Sequence, residues 1–319
     1  MPLLLRASAL AVLAAPAMAQ DYPLTIEHKF GTSIIEEPPE RVASLDYNGA
    51  DNLLALGVQP VAIRYWYGDY ENAVWPWADE LLESEPEILR GDLNFEQIAA
   101  TEPDVIVALW SGITAQDYER LSLIAPVVAV PEGVGDFSLP WDELALMAGT
   151  AVGRLDEAEA QVAEIEAEMQ AIAARHPDWA DKTAAVAYYY GDTPGTYTGE
   201  DIRPLLLSRL GLSLPEPVQA LATGSKFAVT FSEEELQIID ADVLIWMIDE
   251  TAGQRDKIEG LALRPALTAY QEGREVFTDV LLSSAFSHAS LLSIPFVLED
   301  LEPRIAAAID GDPATAVPE

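Results

Sequence analysis

The sequence predicts an α/β protein of two similar lobes, each with a central, mainly parallel sheet, joined by one long backbone helix, with a ligand cleft between the lobes. The first observation behind this is a repeat. LNFEQIAATEPDVIVALW (93–110) and TFSEEELQIIDADVLIWM (230–247) match without a gap at a constant offset (232 − 94 = 138), pairing Asn94 with Ser232, Glu96 with Glu234, Asp104 with Asp242 and Ile106 with Leu244. The second is that short apolar runs alternate with amphipathic stretches in both halves of the chain, the pattern of strand–helix–strand units. The third lies between the two series, where Leu155, Ala158, Val162, Ile165, Met169 and Ile172 recur at spacings of three and four, one face of a helix.

In chain order, Arg6 precedes an apolar run over residues 7–15 and then APAMA, whose Ala17 and Ala19 form an A-x-A cleavage site. Residues 1–19 read as a secretory signal peptide, too short in its apolar part to span a bilayer as a retained anchor. Residues 20–150 form the N-terminal α/β lobe, with RVASLD, VQPVAI, DVIVALW and PVVAVP as strands. Residues 151–178 are the bridging helix, stopped by His176 and Pro177, with about 22 helical residues making a rod of roughly 33 Å. Its apolar stripe lasts only about three heptads, so a long coiled coil is disfavoured. Residues 179–319 are the C-terminal α/β lobe, in which TAAVAYYY, ADVLIWM and REVFTD are strands and IRPLLLSRLGL and FSEEELQII are helices.

With 319 residues and half of them hydrophobic, the chain has material for two cores. The absence of cysteine excludes disulfides, thiolate metal sites, thiol nucleophiles and lipid attachment through a cysteine. A formal net charge of −37 makes nucleic acid and anionic membranes poor partners. The expectation is a soluble, exported protein.

Open α/β sheets bind ligands beyond the carboxyl ends of their strands, and two such ends face each other across a cleft. Aromatic residues gather after the expected strands: Tyr47, Tyr65, Trp66, Tyr67, Trp110, the run from Tyr188 through Tyr189 to Tyr190, Trp246 and Phe286. As a set they suit stacking against a bulky ligand. The cationic candidates for the cleft are Arg64, Arg90, Arg203 and Lys226.

RVASLDYNGADNLLALGVQPVAI, ILRGDLNFEQIAATEPDVIVAL, LSLIAPVV, LPWDELALMAGTAVGRLDEAE and LLSIPFVLEDLEP, spread over residues 41–309, together resemble the periplasmic binding proteins of iron-siderophore ABC importers. The resemblance implies a periplasmic monomer with lobes bridged by one helix, a ferric siderophore as ligand and a permease dimer in the inner membrane as partner. It places Arg90 where the hydroxamate-binding branch contacts oxygens around the iron, and Trp110 with Ser111 where that branch often has tyrosine. It also implies that Glu96 and Glu234 dock the two lobes onto the permease subunits. The ligand-binding candidates are therefore Tyr47, Tyr65, Trp66, Arg90, Trp110, Tyr189, Arg203, Lys226, Trp246 and Phe286, with no catalytic residue, no resident cofactor and no protein metal site.

Vitamin B12 or haem on the same fold is the alternative, although His28, His176 and His288 are scattered and His176 reads as the cap of the long helix. An exported serine hydrolase using Ser283 or Ser284 with His288 is the remote one. The chain lacks a G-x-S-x-G elbow, and LLSSAFSHAS reads as a polar loop at the cleft leading into a helix.

Overall fold

The computed structural model describes residues 20–318 except 71, 222–225 and 250–252, so the expected signal peptide over 1–19 lies outside the described residues. Twelve strands among them form three sheets. Strands β1 (Leu24–His28) and β2 (Gly31–Ile35) pair as an antiparallel hairpin that the sequence reading did not anticipate. Next come β3 (Val42–Ser44), β4 (Pro60–Arg64), β5 (Glu87–Leu89), β6 (Val105–Ala108) and β7 (Val127–Ala129), which form an all-parallel sheet in the order β5-β4-β3-β6-β7.

The second large sheet takes β8 (Ala184–Tyr190), β9 (Thr193–Tyr197), β10 (Ala228–Thr230), β11 (Val243–Trp246) and β12 (Glu275–Phe277) in the order β10-β9-β8-β11-β12. Here β8, β11 and β12 run parallel, while β9 pairs antiparallel with both β8 and β10. The β8–β9 turn is Tyr190-Gly191-Asp192-Thr193, with Gly191 at φ 57° and Asp192 at φ 59°. Two central residues at positive φ match the twist of the flanking strands, as in a type I′ turn.

The repeated sentence has a structural meaning. β6 and β11 are the 138-offset copies, and each lies fourth in its sheet, beside the strand that comes first in the chain among those of that sheet. The aspartate before each strand ties down that neighbour: Asp104 Oδ2 accepts from the Glu40 and Arg41 amides, and Asp242 Oδ2 accepts from the Thr183 amide and hydroxyl. The helix starts differ from the symmetric capping boxes that the sequence suggests. Asn94 accepts from the Gln97 amide at 3.1 Å, but the Gln97 side chain turns to Glu87, so only half a box forms before the helix Phe95–Ala100. Ser232 and Glu235 complete a box, yet Glu233–Ile239 winds as a 3₁₀ helix.

The long helix runs Leu155–Arg175, 21 residues, or about 32 Å. It buries Ala158, Val162, Ile165, Met169 and Ile172. These belong to one apolar core that also holds Leu53, Val105 and Val107 from the first sheet's side and Val186, Leu206 and Ile245 from the second's. Polar ties extend the contact in both directions: Gln161 Nε2 donates to the Ala55 carbonyl, and Arg209 pairs with Glu166. His176 follows the helix, its amide bonded to the Ile172 carbonyl and its ring to Glu302 at 2.8 Å.

LLSSAFSHAS is helical rather than a loop: Asp279 caps the helix Val280–His288, and a second helix, Ser293–Ala308, follows. The turn between them meets the N-terminal lobe. Ser290 Oγ donates to Asp51 Oδ2 at 2.7 Å, the Leu291 amide to Asn52 Oδ1 at 3.0 Å, and Asn48 Nδ2 to the His288 carbonyl at 3.4 Å. The lobes are thus tied at this turn as well as along the long helix.

Candidate aromatic ligand cavity

A cavity of about 660 Å³ opens where the carboxyl ends of the two large sheets converge. The N-terminal lobe supplies Trp66 and Tyr67 from the loop after β4. The C-terminal lobe supplies Tyr188 and Tyr190 from β8, Tyr197 from β9, Arg203 from the helix Ile202–Arg209, and Met247, Asp249 and Gln254 from the segment after β11. Ser283, Ser284 and Ser287 line it from the helix Val280–His288.

Local periodicity decides which neighbours face it. Along β8, Tyr188 and Tyr190 reach the cavity while Tyr189 points to the opposite core, its hydroxyl 2.9 Å from Glu233 Oε1. Along β11, Met247 lines the cavity, whereas Trp246 is fully buried in that same opposite core with its indole N–H bonded to Glu275. On the helix, the serines at 283, 284 and 287 share the cavity face; Leu282, Ala285 and Phe286 form the buried one. Trp246, Phe286 and Tyr189 are therefore packing residues, which corrects the expectation that they contact ligand. Gly195 lies under the Tyr188 ring, and a β-carbon there would collide with it. That close approach lets Tyr188 lie across the hairpin, 5.1 Å from the Tyr197 ring.

Arg203 is 6 % exposed. Its Nη1 bonds both carboxylate oxygens of Asp201 at 2.9 Å, its Nη2 bonds Ser287 Oγ at 2.6 Å, and its guanidinium lies 3.9 Å from the Tyr197 ring centroid. Burial raises the phenol pKa of Tyr67 and Tyr197, and burial together with Tyr197 and Asp201 pushes Tyr188 up to about 12. The three phenols are neutral at ordinary pH, suited to hydrogen bonding with ligand oxygens. Among the described residues no group of three His, Asp or Glu side chains could hold a metal ion.

Trp66 and Arg203 are the expected site residues that the cavity brings together. Tyr47 and Trp110 stand behind Trp66, with ring centroids 5.9 and 5.3 Å away, and support it. Arg64 is held by the Ser111 carbonyl and the Tyr47 hydroxyl. Arg90 does not reach the cavity. It follows β5, the edge strand of its sheet, and its exposed guanidinium stacks 4.0 Å from the ring centroid of Tyr65, whose hydroxyl bonds the Gly68 carbonyl. Lys226 is exposed and also outside the lining. Glu96 and Glu234 are exposed, in the first turns of the two repeated helix starts. Tyr197, Met247, Asp249 and Gln254 were not anticipated. The Gly191-Asp192 pair is the sequence signal that could have revealed the β8–β9 hairpin and with it Tyr197.

A second ring cluster closes the cavity's rear. The His288 ring lies 5.5 Å from Trp66, 5.7 Å from Trp75 and 5.2 Å from Trp77, with Nδ1 bonded to the Ser284 carbonyl at 2.7 Å. Burial drives its pKa down to about 4, helped by the charge of Arg203. Asp51 is pushed up to about 6 by burial, against hydrogen bonds from Ser290 and Trp77.

Comparison with known proteins agrees with this architecture. The chain is 30 % identical over 232 residues to the probable siderophore-binding lipoprotein YfiY of Bacillus subtilis, covering 70 % of this chain and 68 % of that one. The crystal structure of a periplasmic solute binding protein from Mycobacterium smegmatis superposes with a TM-score of 0.80 at 31 % identity, over 89 % of this chain and 98 % of that one. Streptococcus pneumoniae PiaA in complex with ferrichrome superposes with a TM-score of 0.77 at 28 % identity, over 90 % and 99 %. The family model described as periplasmic binding protein matches residues 42–279, a span running from β3 of the first sheet past β12 of the second, and the chain belongs to that family.

Proposed function

We propose that this protein captures a ferric siderophore in the aromatic cavity and delivers it to the permease of an ABC importer, acting as a binding protein and not as an enzyme. The observation that carries the reading is the cavity itself: about 660 Å³ at the convergent strand ends, walled by Trp66, Tyr67, Tyr188, Tyr190 and Tyr197, with phenol and serine hydroxyls, Gln254, Asp249 and one guanidinium as polar contacts. PiaA, alike over nine-tenths of this chain, was crystallised with ferrichrome, and YfiY is described as siderophore-binding. Haem would need an axial His or Tyr. None of the three histidines lines the cavity, and burial raises the pKa of Tyr67, Tyr188 and Tyr197, which disfavours the phenolate that haem iron takes.

The protein acts after export to the periplasm. No helix of the described residues is long and apolar enough to cross a membrane, and the sequence has no cysteine to carry a thioether-linked lipid. Glu96 and Glu234, exposed at the same place beside each sheet, are the contacts for the permease. Native mass spectrometry with ferrichrome tests the reading. One ferric complex per chain is expected, with the iron-free chelator bound more weakly; failure to retain ferrichrome or any other ferric siderophore sinks it.

A further inference from the structure

The cavity also constrains the charge of the chelate. Arg203 and Asp249 are the charged side chains lining it, and Asp201, 4 % exposed, sits directly behind Arg203. Both Asp201 oxygens lie 2.9 Å from Arg203 Nη1, and Asp201 Oδ1 also accepts from the Arg203 amide. The guanidinium is thereby neutralised from within the protein. No other basic side chain lines the cavity among the described residues, and residues 222–225 and 250–252 contain no lysine or arginine. The one cation of the described lining is thus already paired, in a chain of formal net charge −37.

Resting on the reading of the cavity as a ferric-siderophore site, we propose that the buried Asp201–Arg203 pair makes it selective for chelates of zero or positive net charge and against polyanionic ones. Three hydroxamate groups, each singly negative, cancel the charge of Fe³⁺. Three catecholates, each doubly negative, leave a trianion. A neutral chelate can accept hydrogen bonds from the tyrosine hydroxyls and use the aromatic rings for contact, with no Coulomb penalty. A trianion has to leave water for a site whose single cation is already paired, and like charges brought close in a partly dry cavity repel more strongly than in water.

The test is a titration of the full mature chain, followed by tryptophan fluorescence, with three ferric complexes: a neutral tris-hydroxamate, a tris-hydroxamate bearing a free ammonium, and a trianionic tris-catecholate. The first two are expected to bind at least tenfold tighter than the third. Asp201→Asn exposes the charge of Arg203 and should shift the preference toward the trianion by about tenfold or more. Wild-type titrations at rising sodium chloride give the same information without a variant, since screening should narrow the gap. A trianion bound as tightly as the neutral complex, or a gap independent of salt, overturns the proposal. Failure of all three to bind overturns the siderophore reading itself.

Discussion

Trp66 is the side chain on which the cavity most depends, because it faces the ligand space while its ring packs on Tyr67, Trp110 and His288. Aromatic anchors of this kind carry about 2 kcal/mol or more of binding energy. Trp66→Ala is therefore expected to weaken chelate binding by roughly thirtyfold in calorimetric titration. Arg90→Ala should change it by less than about threefold, since that guanidinium stacks on Tyr65 outside the cavity, and charge on an exposed group is worth little. A tenfold loss on removing Arg90 would return it to the site. His288 makes a different prediction. Its pKa is about 4 in the fold and near 6.5 in an unfolded chain, so the folded state favours the neutral ring. The associated stability is complete above about pH 6.5 and is lost as pH falls toward 4. Asp51, raised to about 6, acts in the opposite sense: its buried charge destabilises above that pH, and protonation relieves the cost on acidification. Urea unfolding of wild type and His288→Phe across this range separates the two, the variant losing less stability between pH 6.5 and 4. Parallel curves would exclude His288 as the source of the acid limb.

The β8–β9 hairpin is the element that supplies the aromatic side chains of the C-terminal wall, and it was the least legible. Periodicity identified the long helix almost to its ends, because five buried residues at spacings of three and four leave little freedom. The gapless repeat likewise located β6 and β11 in equivalent sheet positions. A run such as AVAYYY announces a strand but not which face each tyrosine takes. That depends on the register with Thr193–Tyr197, fixed by a turn two residues long. The internal neutralisation of Arg203 was hidden for a similar reason: Asp201 is the N-cap of the helix, and only the cap geometry turns its carboxylate back onto the guanidinium. Gly195→Ala tests the hairpin's role. The added methyl meets the far end of the Tyr188 ring and not backbone, so the ring yields. Stability should fall by no more than about 1 kcal/mol, at the low end for overpacking, while chelate affinity drops several-fold. A large loss of stability with unchanged affinity would show that the ring cannot move and does not contact the ligand.

At the scale of the whole molecule, the long helix and the Asp51–Ser290 and Asn52–Leu291 contacts join the same two lobes at separate points. Hinge motion would have to break the second set or bend a continuous helix, whose hydrogen bonds oppose it. The lobes consequently hold a fixed pose, and surface features at equivalent places on them keep a fixed separation. Glu96 and Glu234 are such a pair, each exposed and nine residues ahead of the fourth strand of its sheet. A carboxylate in a first turn has a local use, since the helix dipole stabilises it, and this alone could gather acidic residues there. The local benefit does not require the same residue at the same place on both lobes, and in this chain Gln97 and Glu235 already occupy the third helical positions. Recognition of a partner with two matching cationic sites does require it, because complementary charges set orientation and encounter rate. Glu96→Ala combined with Glu234→Ala should leave chelate affinity unchanged, cost at most about 1 kcal/mol per helix start, and abolish stimulated ATP hydrolysis by the reconstituted importer. The decisive comparison is with Glu235→Ala, which removes a first-turn carboxylate bonded to Ser232 and should lower stability without touching transport. Normal ATP hydrolysis with the double variant would leave the two glutamates as helix-start chemistry only.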